Sequence, residues 1–215
     1  MLYQHIVVEG NIGAGKTALA QRLAADLNAR LVLEQFSNNP FLPLFYENPK
    51  RYAFAVELFF LAERYQQLKE TALQPDLFQT TLIADYLFAK SALFASVNLQ
   101  GDELRLFQRL SGLLQSALPE PQLVLYLHAP VEKLLHQIRQ RGRTFEQKIS
   151  PDYLLQLQDR YFDFFRTCSR FPVLIIDTTN LDFVSQEKDY QSILELLYHK
   201  HANGMQWISF TLSAS

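Results

Sequence analysis

The chain has 215 residues, of which 48% are hydrophobic, and this length and composition are typical of one domain with a sizeable core. Its 20 basic and 22 acidic side chains give a net charge of -2, which excludes a general electrostatic attraction to nucleic acid polymers or to anionic membranes. With a single cysteine, no signal peptide and no apolar run near the ~20 residues of a membrane span, we expect one cytoplasmic domain over residues 1–215.

Short apolar runs alternate with long amphipathic stretches. The runs, which predict strands, are His5–Glu9, Arg30–Glu34, Thr80–Ala84, Leu123–Leu127 and Val173–Ile176. Helical spacing is found near residues 16–28, 53–73, 86–99, 102–117, 131–141, 151–169 and 186–201. This alternation predicts an α/β fold with a parallel sheet between two layers of helices, and the tail Met205–Leu212 is a candidate for one more strand. Functional groups are expected beyond the carboxyl ends of the strands.

The first run leads directly into a complete G-x-x-x-x-G-K-T motif, which consists of Gly10, Asn11, Ile12, Gly13, Ala14, Gly15, Lys16 and Thr17. Placed between a strand and a helix, the motif is typical of a P-loop that binds a nucleoside triphosphate through backbone amides. We expect Lys16 to reach the terminal phosphates and Thr17 to bind Mg²⁺. The alternative is a glycine-rich turn, which is disfavoured because strand, loop, Lys-Thr and helix occur in order.

Glu34 ends the second apolar run, about one helix after the P-loop. In a doubly wound sheet this position lies beside the loop. A carboxylate there can take the proton from a hydroxyl that attacks a γ-phosphoryl group. The alternative is a surface glutamate that happens to follow a strand.

An aromatic segment follows, in which Tyr46, Phe54, Glu57, Phe60, Leu61 and Arg64 recur near helical spacing. Most such stripes belong to a core. Glu57 and Arg64, however, lie seven residues apart and therefore on one face of a helix rich in phenylalanine. Charges on an apolar face are costly unless they are paired or functional. A nucleobase held between aromatic rings and read by Glu57 and Arg64 would account for them.

Asp85 follows the third apolar run, Thr80–Ala84. A carboxylate after a strand that neighbours the P-loop is the usual second anchor for Mg²⁺, either directly or through water. Asp85 also begins a helical pattern, so a helix N-cap is the alternative, and both roles are compatible.

Residues 139–148 form a local cationic patch with Arg139, Arg141 and Arg143 around the flexible Gly142. Guanidinium groups on a mobile lid can stabilise the charge that spreads over a transferred phosphoryl group. The alternative is a solvated helix end whose cations suit the helix dipole. Because a P-loop is present, we favour the lid.

Apart from Arg139, which has no clear family counterpart, the chain resembles the deoxyribonucleoside kinases, especially the bacterial purine deoxynucleoside kinases, nearly from end to end. The matching segments are Gly10–Thr17, Glu34, Asn39–Leu42, Phe45-Tyr46, Tyr52–Leu61, Arg64, Ile83–Tyr86, Phe94-Ala95, Arg141–Glu146 and Asp182-Phe183. The resemblance implies a P-loop kinase fold with a five-stranded parallel sheet flanked by helices and a short arginine-rich lid. It also implies ATP and Mg²⁺ as cofactors, and a homodimer that pairs through helices near 53–73 and 86–99.

The resemblance further implies a role for each matched side chain. On the acceptor side, it makes Glu34 the general base for the 5′-hydroxyl, assigns the sugar 3′-hydroxyl to Tyr46 and Glu146, and assigns the base to Glu57, Arg64 and Phe94. On the donor side, it places Arg141 and Arg143 in the lid, puts Asp182 and Phe183 near the adenine of ATP, and retains Lys16 and Thr17 as the phosphate and Mg²⁺ groups.

Two departures from the family pattern have chemical content. Many members carry Glu/Asp-Arg-Ser after the third strand, whereas this chain has Ala84-Asp85-Tyr86. Lys90, one helical turn along, could supply the missing positive charge or bind the base. Many members also have glutamine where this chain has Glu57. An ionised glutamate only accepts hydrogen bonds, which matches the adjacent N1–H and 2-amino donors of guanine.

We therefore expect transfer of the γ-phosphoryl group of ATP to the 5′-hydroxyl of a purine deoxyribonucleoside, with deoxyguanosine ahead of deoxyadenosine. A nucleoside monophosphate kinase is the alternative enzyme, although the acceptor region lacks the extra cations that a phosphorylated acceptor needs. A non-catalytic nucleotide sensor is the alternative outside catalysis. A GTP-dependent switch is disfavoured because the chain has no Asn-Lys-x-Asp motif.

Overall fold

The computed structural model describes residues 2–73 and 79–210. Its strands are β1 (His5–Gly10), β2 (Arg30–Val32), β3 (Leu82–Ala84), β4 (Leu123–His128), β5 (Pro172–Asp177) and β6 (Gly204–Ile208). Its α-helices are α1 (Lys16–Asp26), α2 (Leu42–Glu47), α3 (Pro49–Leu73), α4 (Lys90–Asn98), α5 (Gly101–Gln115), α6 (Val131–Arg141), α7 (Pro151–Thr167) and α8 (Glu187–Leu196), and Thr144–Lys148 form a 3₁₀ helix.

All six strands form one parallel sheet in the order β2-β3-β1-β4-β5-β6. The α/β prediction is confirmed, but the expectation of five strands is wrong. The additional strand is β6, which runs beside β5 from Gly204 opposite Pro172 to Ile208 opposite Ile176. It begins one residue before the run Met205–Leu212 that was a candidate for one more strand, and it overlaps that run as far as Ile208.

Alternate side chains of each strand enter two different cores. On β1, Ile6 and Val8 are buried with α1, α6 and α8 on one face of the sheet, whereas Val7 is buried with α7 on the other face. A third apolar cluster joins α2, α3 and α5 beyond the β2 side of the sheet. Because helices cover both faces of the sheet, the carboxyl ends of the strands form its accessible edge. Within residues 2–73 and 79–210, no helix combines the length and apolar character needed to cross a membrane.

Two element boundaries differ from the predictions in ways that matter for the site. The strand β2 ends at Val32, so Glu34 lies two residues beyond it. The helix α4 begins at Lys90 with Ala89 at its N-cap, so Asp85 lies in the preceding loop and the N-cap role is wrong. The short α2 and the 3₁₀ helix were not predicted, because pieces of five or six residues show too little of a helical period.

Candidate active site

The P-loop connects the end of β1 to the start of α1, as predicted. The Nζ atom of Lys16 donates a hydrogen bond to the carbonyl oxygen of Asn11 at 2.9 Å. The Asn11 side chain in turn donates to the carbonyl oxygen of Leu154 on α7 at 2.8 Å. Burial, together with the nearby Lys90, lowers the pKa of Lys16 to about 8. An anionic phosphate beside Lys16 would favour its charged form.

Asp85 connects the P-loop to Glu34. Its Oδ2 accepts a hydrogen bond from the Thr17 hydroxyl at 2.5 Å, and its Oδ1 accepts one from the backbone N–H of Glu34 at 2.7 Å. A hydroxyl and a carboxylate in contact are the hard oxygen ligands that Mg²⁺ prefers, and Mg²⁺ usually takes few protein ligands besides water and phosphate. The two predicted metal residues are thus brought together in an arrangement that fits the ion.

Glu34 lies beside the P-loop with both carboxylate oxygens occupied. Its Oε1 accepts from Nε and Nη2 of Arg64 at 2.8 and 2.5 Å, and its Oε2 accepts from Nζ of Lys90 at 2.9 Å. Burial alone would raise the pKa of this carboxyl group, but Lys90 and Arg64 together hold it well below its usual range. Arg64 is fixed further because its Nη1 donates to the hydroxyl of Ser91 at 2.7 Å.

A cleft opens from the P-loop across Glu34 towards α3, and its space amounts to about 770 Å³ when the open solvent at its mouth is included. The apolar wall comes from rings and aliphatic side chains of the loop after β2, α2, α3 and α4, namely Phe36, Leu42, Phe45, Val56, Phe60 and Phe94. The polar groups that line it include Lys16, Thr17, Glu34, Glu57, Arg64, Asp85, Lys90, Arg141, Arg143 and Glu146. One cleft therefore contains the predicted phosphate, base-recognition and lid groups.

Glu57 lies on the α3 wall of this cleft and is 3% exposed. Its Oε1 accepts a hydrogen bond from Nδ2 of Asn98 at 2.6 Å, and the same nitrogen donates to the hydroxyl of Tyr153 at 3.0 Å. Its Oε2 is buried and has no hydrogen-bond partner within the described parts of the chain. Burial raises the pKa of Glu57 to about 7, although the Asn98 hydrogen bond and Arg64 oppose the rise.

The side chains predicted for the sugar and the lid meet at the other end of the cleft. The Tyr46 ring stacks on Phe145 with centroids 5.9 Å apart. Glu146 is buried and forms ion pairs with both Arg141 and Arg143. Because α6 ends at Arg141 and Gly142 follows in the left-handed conformation, the chain turns there and brings both guanidinium groups back towards Glu146.

Phe183 packs against the P-loop, and Asp182 precedes it. Phe183 is buried, and a Cβ atom added to Gly15 would lie 2.9 Å from its ring. Phe183 therefore supports the loop from the core, and its predicted contact with the adenine of ATP stays a prediction. Arg139 is exposed on α6 and forms no ion pair among residues 2–73 and 79–210, so only Arg141 and Arg143 of the cationic patch belong to the site.

Sequence reasoning missed Glu9, Asn98 and Tyr153. Glu9 is fully buried at the end of β1 and accepts hydrogen bonds from the backbone N–H groups of Gly10 and Leu87 and from the Tyr161 hydroxyl. A carboxylate inside an apolar strand is the signal that could have identified it. Asn98 and Tyr153 carry no comparable signal, because each is an ordinary polar residue on an amphipathic helix.

Comparison with known proteins agrees with this geometry. Residues 6–202 match the sequence family described as deoxynucleoside kinase. A deoxyguanosine kinase of Bacillus subtilis (strain 168) is 36% identical over 192 residues, which cover 87% of this chain and 93% of that protein. A deoxyadenosine kinase of Dictyostelium discoideum is 34% identical over 197 residues, which cover 88% of this chain and 77% of that protein.

The fold has solved relatives as well. A deoxyadenosine kinase from M. mycoides with bound dATP aligns with a TM-score of 0.78 at 22% identity, over 90% of this chain and 99% of that chain. At that identity the likeness shows a common fold. The match to the family over most of the chain, together with the two relatives above 30% identity, shows that this protein belongs to the deoxynucleoside kinase family.

Proposed function

We propose that the protein transfers the γ-phosphoryl group of ATP to the 5′-hydroxyl of a purine deoxyribonucleoside. The observation that carries this proposal is the position of Glu34, which lies between the P-loop and the aromatic cleft and can be reached from both. The carboxylate accepts the proton of the 5′-hydroxyl as that oxygen attacks the γ-phosphorus. The resulting activity would serve nucleotide salvage.

The donor half of the site is the P-loop with its neighbours. Lys16 and the loop amides hold the phosphates, and Arg141 and Arg143 stabilise the charge that develops on the transferred group. Thr17 and Asp85 would hold Mg²⁺, which when bound neutralises charge on the phosphate oxygens.

The acceptor half favours a neutral nucleoside over a nucleoside monophosphate. Glu57 and Glu146 carry carboxylates into this region, while Arg64 is committed to Glu34 and the lid arginines to Glu146. A phosphate on the acceptor would lie near Glu57 and Glu146, and each cation that the described residues place on this side of the cleft is already paired with Glu34 or Glu146. Tyr46 and Glu146 would hold the sugar 3′-hydroxyl, and Glu57, Arg64 and Phe94 would surround the base.

A purine suits the cleft because Glu57 offers hydrogen-bonding oxygens to the base edge between aromatic rings. Deoxyguanosine is the first expectation, since its adjacent N1–H and 2-amino donors match an ionised carboxylate. Deoxyadenosine is the second, and the names of the relatives include both deoxyguanosine and deoxyadenosine kinases.

Turnover of the four deoxynucleosides with ATP tests the proposal. We expect the highest kcat/KM for a purine, and a higher value for thymidine or deoxycytidine would overturn the purine assignment. Glu34→Gln should abolish most turnover while nucleoside binding persists, whereas Glu103→Gln at an exposed position of α5 should change neither. A non-catalytic sensor would show no turnover in the unsubstituted protein.

We also propose a homodimer that pairs through α3 and through α5, which takes the place of the helix near 86–99 that the resemblance implies. Every residue of α4 is buried or half-buried, whereas Leu58 of α3 and Leu106 and Leu113 of α5 are 37%, 50% and 64% exposed. Leu106 and Leu113 lie seven residues apart and therefore on one face of α5. Replacing both with Glu should shift the molar mass in light scattering from dimer to monomer, whereas Leu155→Glu on α7 should not.

A further inference from the structure

The acceptor site contains one buried oxygen that has no partner. Glu57 Oε2 lies in the cleft wall without a hydrogen bond from any described residue, while Oε1 is held by Asn98 at 2.6 Å. A buried polar atom without a partner is unfavourable unless a ligand satisfies it. Since the Glu57 side chain lines the cleft that receives the acceptor, a base that packs against this wall is the ligand that could give Oε2 its partner.

The Asn98 contact fixes where a proton on Glu57 would lie. The amide nitrogen of Asn98 only donates, so the oxygen that it contacts, Oε1, must accept. A neutral Glu57 therefore carries its proton on Oε2. In that form the side chain offers a donor at Oε2 beside an acceptor at Oε1, and in the ionised form it offers two acceptors.

These two patterns match different purine edges. Adenine presents a 6-amino donor beside an acceptor ring nitrogen, which pairs with the acceptor and donor of the neutral acid. Guanine presents N1–H and the 2-amino group as adjacent donors, which pair with the two acceptors of the carboxylate. Neither free purine changes its own protonation near neutral pH, so the side chain has to supply the difference.

The groups around Glu57 leave both forms accessible. Lys90 of α4 and Arg64 of α3 favour the anion, and Glu34 of the loop after β2 opposes it. Tyr46 of α2 and Tyr153 of α7 face it as neutral hydroxyls. Burial has the largest effect and raises the pKa to about 7, so protonated and ionised side chains coexist at neutral pH.

We propose that Glu57 binds deoxyadenosine as the neutral acid and deoxyguanosine as the carboxylate, so that one side chain reads both purines by gaining or losing a proton. The proposal rests on the proposed function, because it assumes that the purine enters this cleft. When deoxyguanosine binds a molecule whose Glu57 is neutral, the proton of that side chain is released to solvent. When deoxyadenosine binds a molecule whose Glu57 is ionised, the side chain takes up one proton from solvent.

Calorimetry at pH 7 in two buffers of different ionisation enthalpy measures these protons directly, without ATP and without turnover. We expect proton release with deoxyguanosine and uptake with deoxyadenosine, the two counts differing by about one proton per site. In Glu57→Gln both counts should fall to zero, and in Glu70→Gln, an exposed glutamate on the same helix, they should match the unsubstituted protein. The counts in the unsubstituted protein do not depend on how well the variant folds.

Steady-state kinetics give a second readout. A difference of one proton makes the ratio of kcat/KM for deoxyadenosine to that for deoxyguanosine rise by about tenfold for each pH unit lowered between pH 8 and 6. Equal proton counts, a pH-independent ratio, or binding of only one purine would overturn the proposal. Binding of neither purine, without turnover of any deoxynucleoside, would instead overturn the proposed function itself.

Discussion

The Nζ atom of Lys90 donates to Glu34 Oε2 at 2.9 Å, on the carboxylate whose Oε1 is occupied by Arg64. Oε1 already accepts two hydrogen bonds, whereas Oε2 accepts one from the described residues, so a 5′-hydroxyl can reach the catalytic carboxylate at Oε2. Arg64 is fixed by two contacts to Glu34 and one to Ser91, whereas Lys90 makes a single hydrogen bond at the end of a flexible chain. We expect the hydroxyl to bind Oε2 beside Lys90, which places the Lys90 ammonium group next to the transferred phosphoryl group.

Lys90→Met should therefore lower kcat by about 100-fold, the order found when one charge-stabilising donor is removed, with little change in the KM of the nucleoside. Lys90→Arg should retain much of the activity because it keeps the charge. Steady-state kinetics check this, with Lys188→Met on the exposed side of α8 as the control. A normal kcat in Lys90→Met would assign Lys90 to structure alone.

Asp85 accepts hydrogen bonds from Thr17 and from the Glu34 backbone, which predicts that a substitution of Asp85 changes the Mg²⁺ requirement of the enzyme. Asp85→Asn removes the charge that attracts Mg²⁺ while it keeps the size of the side chain. We expect the Mg²⁺ concentration for half-maximal activity to rise by at least about tenfold, corresponding to ~1.4 kcal/mol of lost metal binding. A Mg²⁺ titration of activity measures it. Asp102→Asn, at an exposed position on α5, should leave the titration unchanged.

The site residues that could be predicted from the sequence are those whose role is indicated by the residues next to them in the chain. The P-loop is contiguous, and Glu34 and Asp85 follow apolar runs, so their place at the carboxyl edge of the sheet follows from the topology. The partners of those carboxylates could not be predicted, because the contact between Glu34 and Lys90 joins positions 56 residues apart. Asn98 reaches Glu57 in the same way, through the packing of α4 against α3.

The buried Glu9 gives a prediction on stability. Its carboxylate accepts hydrogen bonds from two backbone N–H groups and from the Tyr161 hydroxyl. Glu9→Gln points an amide N–H₂ at one of these donors and should lower the free energy of unfolding by about 3 kcal/mol. Tyr161→Phe removes one donor and should cost about 1.5 kcal/mol. Urea denaturation measures both, and a loss in Glu9→Gln no larger than that in exposed Glu132→Gln would contradict the bonding role.

The lid gives a comparison between two arginines on one helix. Arg141 pairs with Glu146 and lines the cleft, whereas Arg139 does neither within the described residues. Arg141→Ala should lower kcat by about 100-fold, because it removes a cation from the transferred phosphoryl group, while Arg139→Ala should stay near normal. Both variants keep α6 intact, since alanine is the strongest helix former. Equal losses in the two variants would indicate a general effect of positive charge instead of a lid.

Alanine substitutions at Gly13 and at Gly101 distinguish the effect of backbone strain from the effect of steric contact. Both adopt positive φ, at +86° and +56°, so alanine at either position costs about 1–2 kcal/mol of conformational energy. Only at Gly13 would the added Cβ meet other atoms, 2.8 Å from the carbonyl oxygen of Leu134 and 2.9 Å from Ile138 on α6, whereas Gly101 has open space. Because the Leu134 contact is to backbone, Gly13→Ala must displace the P-loop. We expect Gly13→Ala to lower the free energy of unfolding by more than Gly101→Ala does. We also expect Gly13→Ala to abolish the rise in Tm that ATP gives the unsubstituted protein. Gly101→Ala should keep that rise in full. An unchanged ATP-induced rise in Gly13→Ala would show that the loop binds phosphate without being held against α6.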